Sequence, residues 1–223
     1  AQVPALAGAH RVVTMDSRGH GRTTLGSAGL SYRRMARDAY LLLEELGTGP
    51  AYVVGWSDGG CTALYMALLY PESVAGIALI GTSYNTGNYS ERSLRLMESL
   101  LRPGSAGLLA ARAAWSAAAP EPRRWGQFAG EMRRMWRNEP DLTPGDLGHV
   151  TVPALVIGCD RDEFLAWPGD PLKVFRETAQ AVPRAEMRVI PGGTHTVLVR
   201  RPAELNAALL EFLDGGGAAG RIP

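Results

Sequence analysis

Short apolar runs alternate with helix-like segments along this chain, and this alternation constrains the fold more than any other feature. The runs are nearly unbroken in hydrophobicity, as expected of strands that are buried on both faces of a sheet. They span residues 11–15, 51–54, 74–80, 154–157 and 187–190. Because strands and helices alternate, the sequence predicts βα units and a mostly parallel sheet flanked by helices.

The segments between these runs carry the 3.6-residue periodicity of amphipathic helices. One apolar stripe stops at Gly47, a residue type that commonly ends helices. A second stripe follows Asp170 and Pro171, which we expect to be its N-cap and its first helical residue, and a third follows Pro202. The stripes comprise Met35, Ala39, Leu42, Leu43 and Leu46; Leu172, Phe175, Ala179 and Val182; and Leu205, Ala208, Leu209, Phe212 and Leu213.

One long stretch, residues 86–149, shows helix-like patterns only. A chain of 223 residues can build one core with an inserted segment. We therefore interpret 86–149 as a helical insertion between two parts of one core, 1–85 and 150–214, and expect the tail 215–223 to be disordered. The pattern leaves open which large side chains of the insertion face inward: Trp115, Trp125, Phe128, Met132 or Trp136.

The composition is that of an ordinary globular protein, with 46% hydrophobic and 20% charged residues. The formal net charge of +1 provides no global field to recruit nucleic acid or an anionic membrane. No apolar run is long enough to span a bilayer. Cys61 and Cys159 lie in apolar segments and do not indicate a disulfide framework or a metal site. We expect a cytoplasmic protein, although the chain does not begin with Met and its true N-terminus is expected to lie upstream.

The pentapeptide Gly55-Trp56-Ser57-Asp58-Gly59 has the G-x-S-x-G pattern between a strand-like run and a helix-like run. A serine at such a corner adopts a strained backbone, so that its hydroxyl projects above the sheet. We expect both glycines to be required, because a Cβ at either position would collide with the neighbouring strand or helix. The N-terminus of the following helix favours negative charge near the serine. The sequence therefore predicts that Ser57 is a nucleophile.

A serine hydroxyl needs a base to accept its proton, and the chain offers four histidines for that role. His10 precedes the first strand, His20 lies in a loop, and His149 ends the insertion. His195 follows the last strand, so it leaves the sheet at the same edge as Ser57, where ligands of open α/β sheets bind. We therefore favour His195 as the base.

The third member should be a carboxylate on the loop after the preceding strand, where Asp160, Asp162 and Glu163 all occur. Its role would be to orient the imidazole and to stabilise the imidazolium cation. We favour Asp162 for its reach and keep Asp160 as the alternative. Glu163 is expected to be a neighbour on the solvent side.

Together these motifs resemble the α/β-hydrolase superfamily, from about residue 10 to 213. The segment Asp16–Gly21 is similar to the family's D-x-R-G-x-G turn, and the loop 160–163 resembles its acid loop, with the catalytic aspartate aligned on Asp162. The order Ser57, Asp162, His195 is the family's order of nucleophile, acid and base. The insertion resembles the helical cap that covers these active sites.

The resemblance implies an α/β-hydrolase fold and a serine hydrolase that cleaves a small-molecule carboxylic ester or lactone through an acyl-enzyme, without metal or organic cofactor. It places one oxyanion donor on the backbone N–H of Asp58. Serine argues against the dehalogenases and epoxide hydrolases of the family, which use a carboxylate here. Thioester or carbon–carbon bond hydrolysis stays open, and so does a non-hydrolytic or inactive small-molecule-binding relative.

The pentapeptide Gly55-Trp56-Ser57-Asp58-Gly59, known in this family as the nucleophile elbow, is similar to that of valacyclovir-hydrolase-like and enol-lactonase-like members. In the former, an acidic residue beside the nucleophile is associated with amino-bearing esters, which would make Asp58, together with Trp56, substrate-selecting. The alternative is that Asp58 only complements the dipole of the following helix. Both interpretations of Asp58 remain open at this point.

The resemblance fails at the N-terminus. Family members have three earlier strands, and the third ends in a loop that donates a second oxyanion N–H. Nothing here matches these parts, so we expect an N-terminally truncated fold in which the Asp58 N–H acts alone. The strands at 11–15 and 51–54 would then face each other across a missing neighbour, unless they close up or the natural protein is longer.

Overall fold

The computed structural model describes residues 1–100 and 104–215, and the elements below are those of this part of the chain. The glycine-rich tail that was predicted to be disordered lies outside it from residue 216 onward. The strands are β1 (Ala51–Trp56), β2 (Val74–Ile80), β3 (Ala154–Cys159) and β4 (Ala185–Ile190). The helices are α1 (Gln2–Leu6), α2 (Tyr32–Leu46), α3 (Asp58–Leu69), α4 (Glu91–Leu100), α5 (Ala106–Ala118), α6 (Trp125–Asn138), α7 (Pro144–Leu147), α8 (Lys173–Ala181), α9 (Val197–Arg200) and α10 (Pro202–Leu213).

The four strands form one sheet in the order β1-β2-β3-β4, and every neighbouring pair is parallel. Each strand therefore ends at the same edge of the sheet, where the following loop begins. The register pairs Trp56 with Ile80 and Ile157 with Ile80 at that edge. The predicted α/β-hydrolase fold, with a parallel sheet flanked by helices, is confirmed.

The two faces of the sheet bury separate sets of apolar side chains, because successive residues of a strand point to opposite faces. In β2, Ile77 and Leu79 pack into the core that contains α2, α3 and α8. Ala78 and Ile80 pack into the opposite core, which α1 and α10 cover. This two-sided burial explains why the strands read as nearly unbroken apolar runs.

The predicted strand at 11–15 is wrong. Residues 11–17 are not part of the sheet, and β1 is an edge strand that pairs with β2. A β-branched run favours extended backbone, but a strand also needs a neighbour within hydrogen-bonding distance. The outward side chains of β1 are accordingly accessible, with Tyr52 40%, Val54 39% and Trp56 37% exposed.

The helix ends follow the predicted chemistry at α2 but not at α8. The α2 helix ends at Gly47, which adopts the left-handed conformation with φ of 56°. The predicted N-cap Asp170 is wrong, because α8 begins later, with Leu172 as its N-cap and no side-chain cap. The Asp170 carboxylate instead pairs with Arg176 of α8.

Between β2 and β3 the described residues contain the helices α4 to α7 and no strand. The inward face of α6 carries Phe128, Ala129, Met132 and Met135, which are buried. No helix within the described ranges combines the length and apolarity that crossing a membrane would require.

Candidate active site

Ser57 lies in the turn between β1 and α3, and it adopts a backbone conformation that L-residues rarely use. Its φ of 53° and ψ of −117° make it the one non-glycine residue with positive φ within residues 1–100 and 104–215. The main chain is held there because the Ser57 N–H donates to the Ile80 carbonyl at 2.9 Å. Such strain is maintained only where the surroundings impose it, and it aims the hydroxyl away from the sheet.

The glycines around Ser57 are not equally required. A Cβ at Gly55 would lie 2.2 Å from the Gly59 carbonyl oxygen, and one at Gly60 would lie 1.8 Å from Thr82 Oγ1. A Cβ at Gly59 would meet nothing within 4 Å. The expectation that both glycines of the pentapeptide are required is therefore wrong for Gly59, because the tight contact to the neighbouring strand end falls one residue later.

The structure brings Ser57, His195 and Asp162 together from three loops at the same sheet edge. His195 Nε2 lies 3.0 Å from Ser57 Oγ, and His195 Nδ1 lies 2.9 Å from Asp162 Oδ2. Asp160 is elsewhere, since its Oδ1 accepts the Gly192 N–H at 2.6 Å. Of the two carboxylates that the sequence left open, Asp162 is the one that reaches the imidazole.

Asp162 is enclosed by its own loop. Its side chain is 0% exposed, against 11% for His195. The oxygen that does not face the imidazole, Oδ1, accepts the N–H groups of Phe164 at 2.9 Å and of Leu165 at 3.0 Å. Both oxygens are thus occupied, which fixes the carboxylate and leaves Oδ2 for the histidine.

The main chain of His195 is held as firmly as its ring. Its N–H donates to Glu163 Oε2 at 2.8 Å, and its carbonyl accepts the indole N–H of Trp56 at 2.7 Å. Glu163, expected to be a solvent-side neighbour, is therefore a partner of His195. Trp56 immediately precedes Ser57 in the chain. Of these two adjacent residues, Trp56 contacts the backbone carbonyl of His195 and Ser57 contacts its ring.

The remaining histidines lie in different surroundings. His10 Nε2 is 3.3 Å from Asp214 near the last helix, and His149 follows α7. His20 lines the same cavity as Ser57, where its ring packs edge-on against Phe128.

A cavity of about 580 Å³ opens above Ser57 and His195. Trp136 of α6 and Met97 of α4 contribute to its lining from the helical segment. Trp115, Trp125 and Phe128 instead pack on one another, with ring centroids 5.1–5.7 Å apart. The described lining residues are Met15, Asp16, Ser17, His20, Met35, Trp56, Ser57, Asp58, Gly59, Thr62, Gly81, Tyr89, Met97, Trp136, Phe164, Leu165, His195 and Thr196.

The Asp58 carboxylate, beside the serine, is engaged by two protein donors. Tyr32 donates its hydroxyl to Oδ1 at 2.6 Å, and Trp136 donates its indole N–H to Oδ2 at 2.9 Å. Burial, reinforced by the Asp58 charge, raises the pKa of Tyr32 well above its usual range. Tyr32 therefore remains a protonated donor over the ordinary pH range.

The two cysteines are not activated as nucleophiles or metal ligands. Burial raises the pKa of Cys159 to about 12 and the pKa of Cys61 well above its usual range, so both remain thiols. Within the described ranges, no three His, Cys, Asp or Glu side chains are grouped so that they could hold a metal ion.

Sequence reasoning missed the partners of the site more than its members. No local pattern in the sequence points to Tyr32, and Trp136 is one of several aromatic side chains whose orientation the pattern leaves open. Their contacts span 26 and 78 residues of sequence, beyond any local periodicity. The signal that was available is chemical, because a half-buried carboxylate such as Asp58 requires donors, and Tyr and Trp are the large side chains that supply one each.

The sequence profile of the alpha/beta hydrolase family matches residues 1–208, and the chain belongs to that family. RutD of Variovorax paradoxus (strain S110), provisionally named a carbamate hydrolase, is 28% identical, and the match covers 96% of this chain and 85% of RutD. The magnesium-chelatase 30 kDa subunit of Rhodobacter capsulatus is also 28% identical, over 96% of this chain and 81% of that subunit. The crystal structure of the enol-lactonase from Burkholderia xenovorans LB400 matches with a TM-score of 0.71 and 21% identity, covering 96% of this chain and 84% of the enzyme.

Proposed function

We propose that this protein is a serine hydrolase that cleaves a small-molecule carboxylic ester or lactone through an acyl-enzyme. The observation that carries the proposal is the hydrogen-bonded series from Asp162 Oδ2 to His195 Nδ1 and from His195 Nε2 to Ser57 Oγ, at 2.9 and 3.0 Å. These separations are within the range in which a base accepts the proton of a nucleophile.

Acylation begins when Ser57 Oγ attacks the carbonyl carbon while His195 Nε2 takes the hydroxyl proton. Asp162 keeps Nδ1 protonated and stabilises the imidazolium that forms. The oxyanion accepts the backbone N–H of Asp58, which is free of an intrahelical partner because Asp58 is the first residue of α3. The dipole of this helix adds to the stabilisation.

Acylation is complete when the imidazolium returns its proton to the leaving alkoxide oxygen as the bond between the acyl carbon and that oxygen breaks. Deacylation repeats the same steps with water. His195 then takes a proton from water, and the hydroxide attacks the acyl carbon. Ser57 leaves with the proton from His195, so the products are a carboxylic acid and an alcohol, or a hydroxy acid from a lactone.

The relatives support hydrolysis but span more than one bond type. The name of RutD points to a carbamate, and the name of the Burkholderia enzyme points to an enol-lactone. The magnesium-chelatase 30 kDa subunit has the same identity to this chain as RutD and is not named as a hydrolase, so the alternative of a non-hydrolytic small-molecule-binding protein is kept. The experiment must therefore distinguish turnover from binding.

The experiment measures release of p-nitrophenol from short-chain p-nitrophenyl esters and labelling of Ser57 by a fluorophosphonate. We expect turnover by the wild type and a loss of kcat of ~10⁴-fold or more in Ser57→Ala. Labelling should stop in the same variant. Turnover that persists in Ser57→Ala would contradict the nucleophile, and neither turnover nor labelling in the wild type would favour the binding protein.

A further inference from the structure

The Asp58 carboxylate joins the sheet to the helical segment above it. Tyr32, which is 1% exposed, donates to one carboxylate oxygen from the start of α2. Trp136 donates to the other from α6, 78 residues along the chain. The two donors therefore approach Asp58 from different parts of the molecule.

A second contact connects the start of α2 directly to the end of α6. The backbone N–H of Tyr32 donates to Glu139 Oε2 at 3.0 Å, and Glu139 directly follows α6. Trp136 lies in the last turn of α6 and Glu139 is its C-cap residue, so both contacts are made from the same end of this helix. We call Asp58, Tyr32, Trp136 and Glu139 the Asp58 junction.

Donors and acceptors match in this junction. A carboxylate only accepts and an indole N–H only donates, and the raised pKa of Tyr32 keeps its hydroxyl protonated. Hydrogen bonds to an ionised acceptor are about twice as strong as neutral ones. Replacing the Asp58 carboxylate by a carboxamide leaves one accepting oxygen for two donors, so the Tyr32 hydroxyl keeps a partner only by turning to accept from the amide, and both contacts lose their charged acceptor.

The junction also determines what the cavity presents to a substrate. Trp136 lines the cavity with its ring, while its N–H is turned to Asp58. Each oxygen of Asp58 already accepts a hydrogen bond from a protein donor, so the carboxylate has a structural role whether or not a substrate contacts it. Among the lining residues that the structure describes, none is Lys or Arg, whereas Asp16 and Asp58 are both carboxylates.

We propose that Asp58 is a positioning residue that fixes Trp136 and α6 over the cavity, and that it is not a receptor for an amino group of the substrate. The part of this inference that concerns the substrate rests on the proposed hydrolase function. The part that concerns α6 rests only on the contacts of the junction.

The kinetic experiment compares the p-nitrophenyl esters of propionic acid and of alanine, which differ by one amino group. Asp58→Asn and Trp136→Phe should each raise KM by ~10-fold for both esters, because each removes a hydrogen bond to a charged group. The kcat values should change much less than KM. The double variant should be no worse than Asp58→Asn alone, since both substitutions remove the same contact.

Hydrogen exchange measures the junction without any turnover. Asp58→Asn and Trp136→Phe should raise the exchange rate of the α6 amides by ~10-fold and leave those of α8 unchanged. Trp125→Phe is the matched control, because it removes an indole N–H from the other end of α6, where the ring packs on Trp115 and Phe128. If Asp58→Asn does not fold, Trp136→Phe alone decides the question.

Two results would overturn the inference. The first is that Asp58→Asn raises KM for the alanine ester only, while Trp136→Phe raises KM for neither ester. Asp58 would then be a receptor for the amino group of the substrate and not a positioning residue. Unchanged exchange of α6 in both variants would remove the positioning role. If the wild type hydrolyses neither ester, the proposed hydrolase function fails, and the exchange experiment still decides whether the junction holds α6.

Discussion

The cavity has two walls that are built in different ways. The sheet wall consists of the turns after β1, β3 and β4, which carry Ser57, Asp162 and His195. The helical wall consists of Tyr89, Met97 and Trp136, which belong to the segment between β2 and β3; residues 15–17 and 20, in the loop before α2, also line the cavity. In the sheet wall, hydrogen bonds to the main chain fix every proposed reacting group within a few residues of a strand end.

The helical wall is held by long side chains instead. Trp115 donates to the Gly19 carbonyl at 2.6 Å, and Arg124 donates to the Gly26 carbonyl at 2.5 Å. Glu131 accepts the Leu30 N–H at 3.1 Å. Because these contacts hold the helical wall and not the proposed reacting groups, we expect changes in the sheet wall to alter kcat and changes in the helical wall to alter KM.

The largest effect is expected at the acid of the sheet wall. Asp162→Asn removes the carboxylate that keeps His195 in the required tautomer, and kcat for a p-nitrophenyl ester should fall by ~10⁴-fold. Asp160→Asn is the matched control, because its carboxylate contacts the Gly192 N–H and not the imidazole. Equal losses in the two variants would mean that the loop as a whole, and not the Asp162–His195 contact, matters for activity.

The second prediction concerns stability and the close approach of Gly60, in the first turn of α3, to Thr82. Gly60→Ala would place a Cβ 1.8 Å from Thr82 Oγ1, and we expect it to lower the free energy of unfolding by ~1–3 kcal/mol. Gly59→Ala meets no atom within 4 Å in the same helical turn and should raise the free energy of unfolding by up to ~1 kcal/mol. Urea denaturation of both variants measures the difference. Similar destabilisation by both would show that the turn does not depend on the contact with Thr82.

The two walls also differ in how far the sequence could predict them. The turns that carry Ser57 and His195 follow the apolar runs 51–54 and 187–190, which lie within β1 and β4, so chain order and strand position were enough to bring these residues to one edge. The helical wall could not be predicted, because the orientation of Trp136 depends on Asp58 and Tyr32, far away in sequence. The strand at 11–15 failed for a similar reason, since pairing depends on a neighbour that local composition does not specify.

The contact between Trp56 and His195 tests whether the sheet wall depends on its main-chain hydrogen bonds. Trp56→Phe keeps an aromatic ring beside the imidazole and removes the N–H that donates to the His195 carbonyl. We expect kcat to fall by ~10-fold with little change in KM, as the loss of one such hydrogen bond suggests. Tyr52→Phe, on the same face of β1, is the control and should leave kcat unchanged. A rise in KM alone would assign Trp56 to substrate binding instead.

The smallest effect is expected in the helical wall, away from the Asp58 junction. Trp115→Phe removes the donor to the Gly19 carbonyl but keeps a ring that can pack on Trp125 and Phe128. The loss of one neutral hydrogen bond at a partly buried site is worth about 1 kcal/mol, so KM should rise by ~3- to 5-fold while kcat stays near that of the wild type. Steady-state kinetics with a p-nitrophenyl ester measures both constants. A fall in kcat with unchanged KM would contradict the expectation that the sheet wall determines kcat and the helical wall determines KM. It would mean that the helical segment also positions the reacting groups.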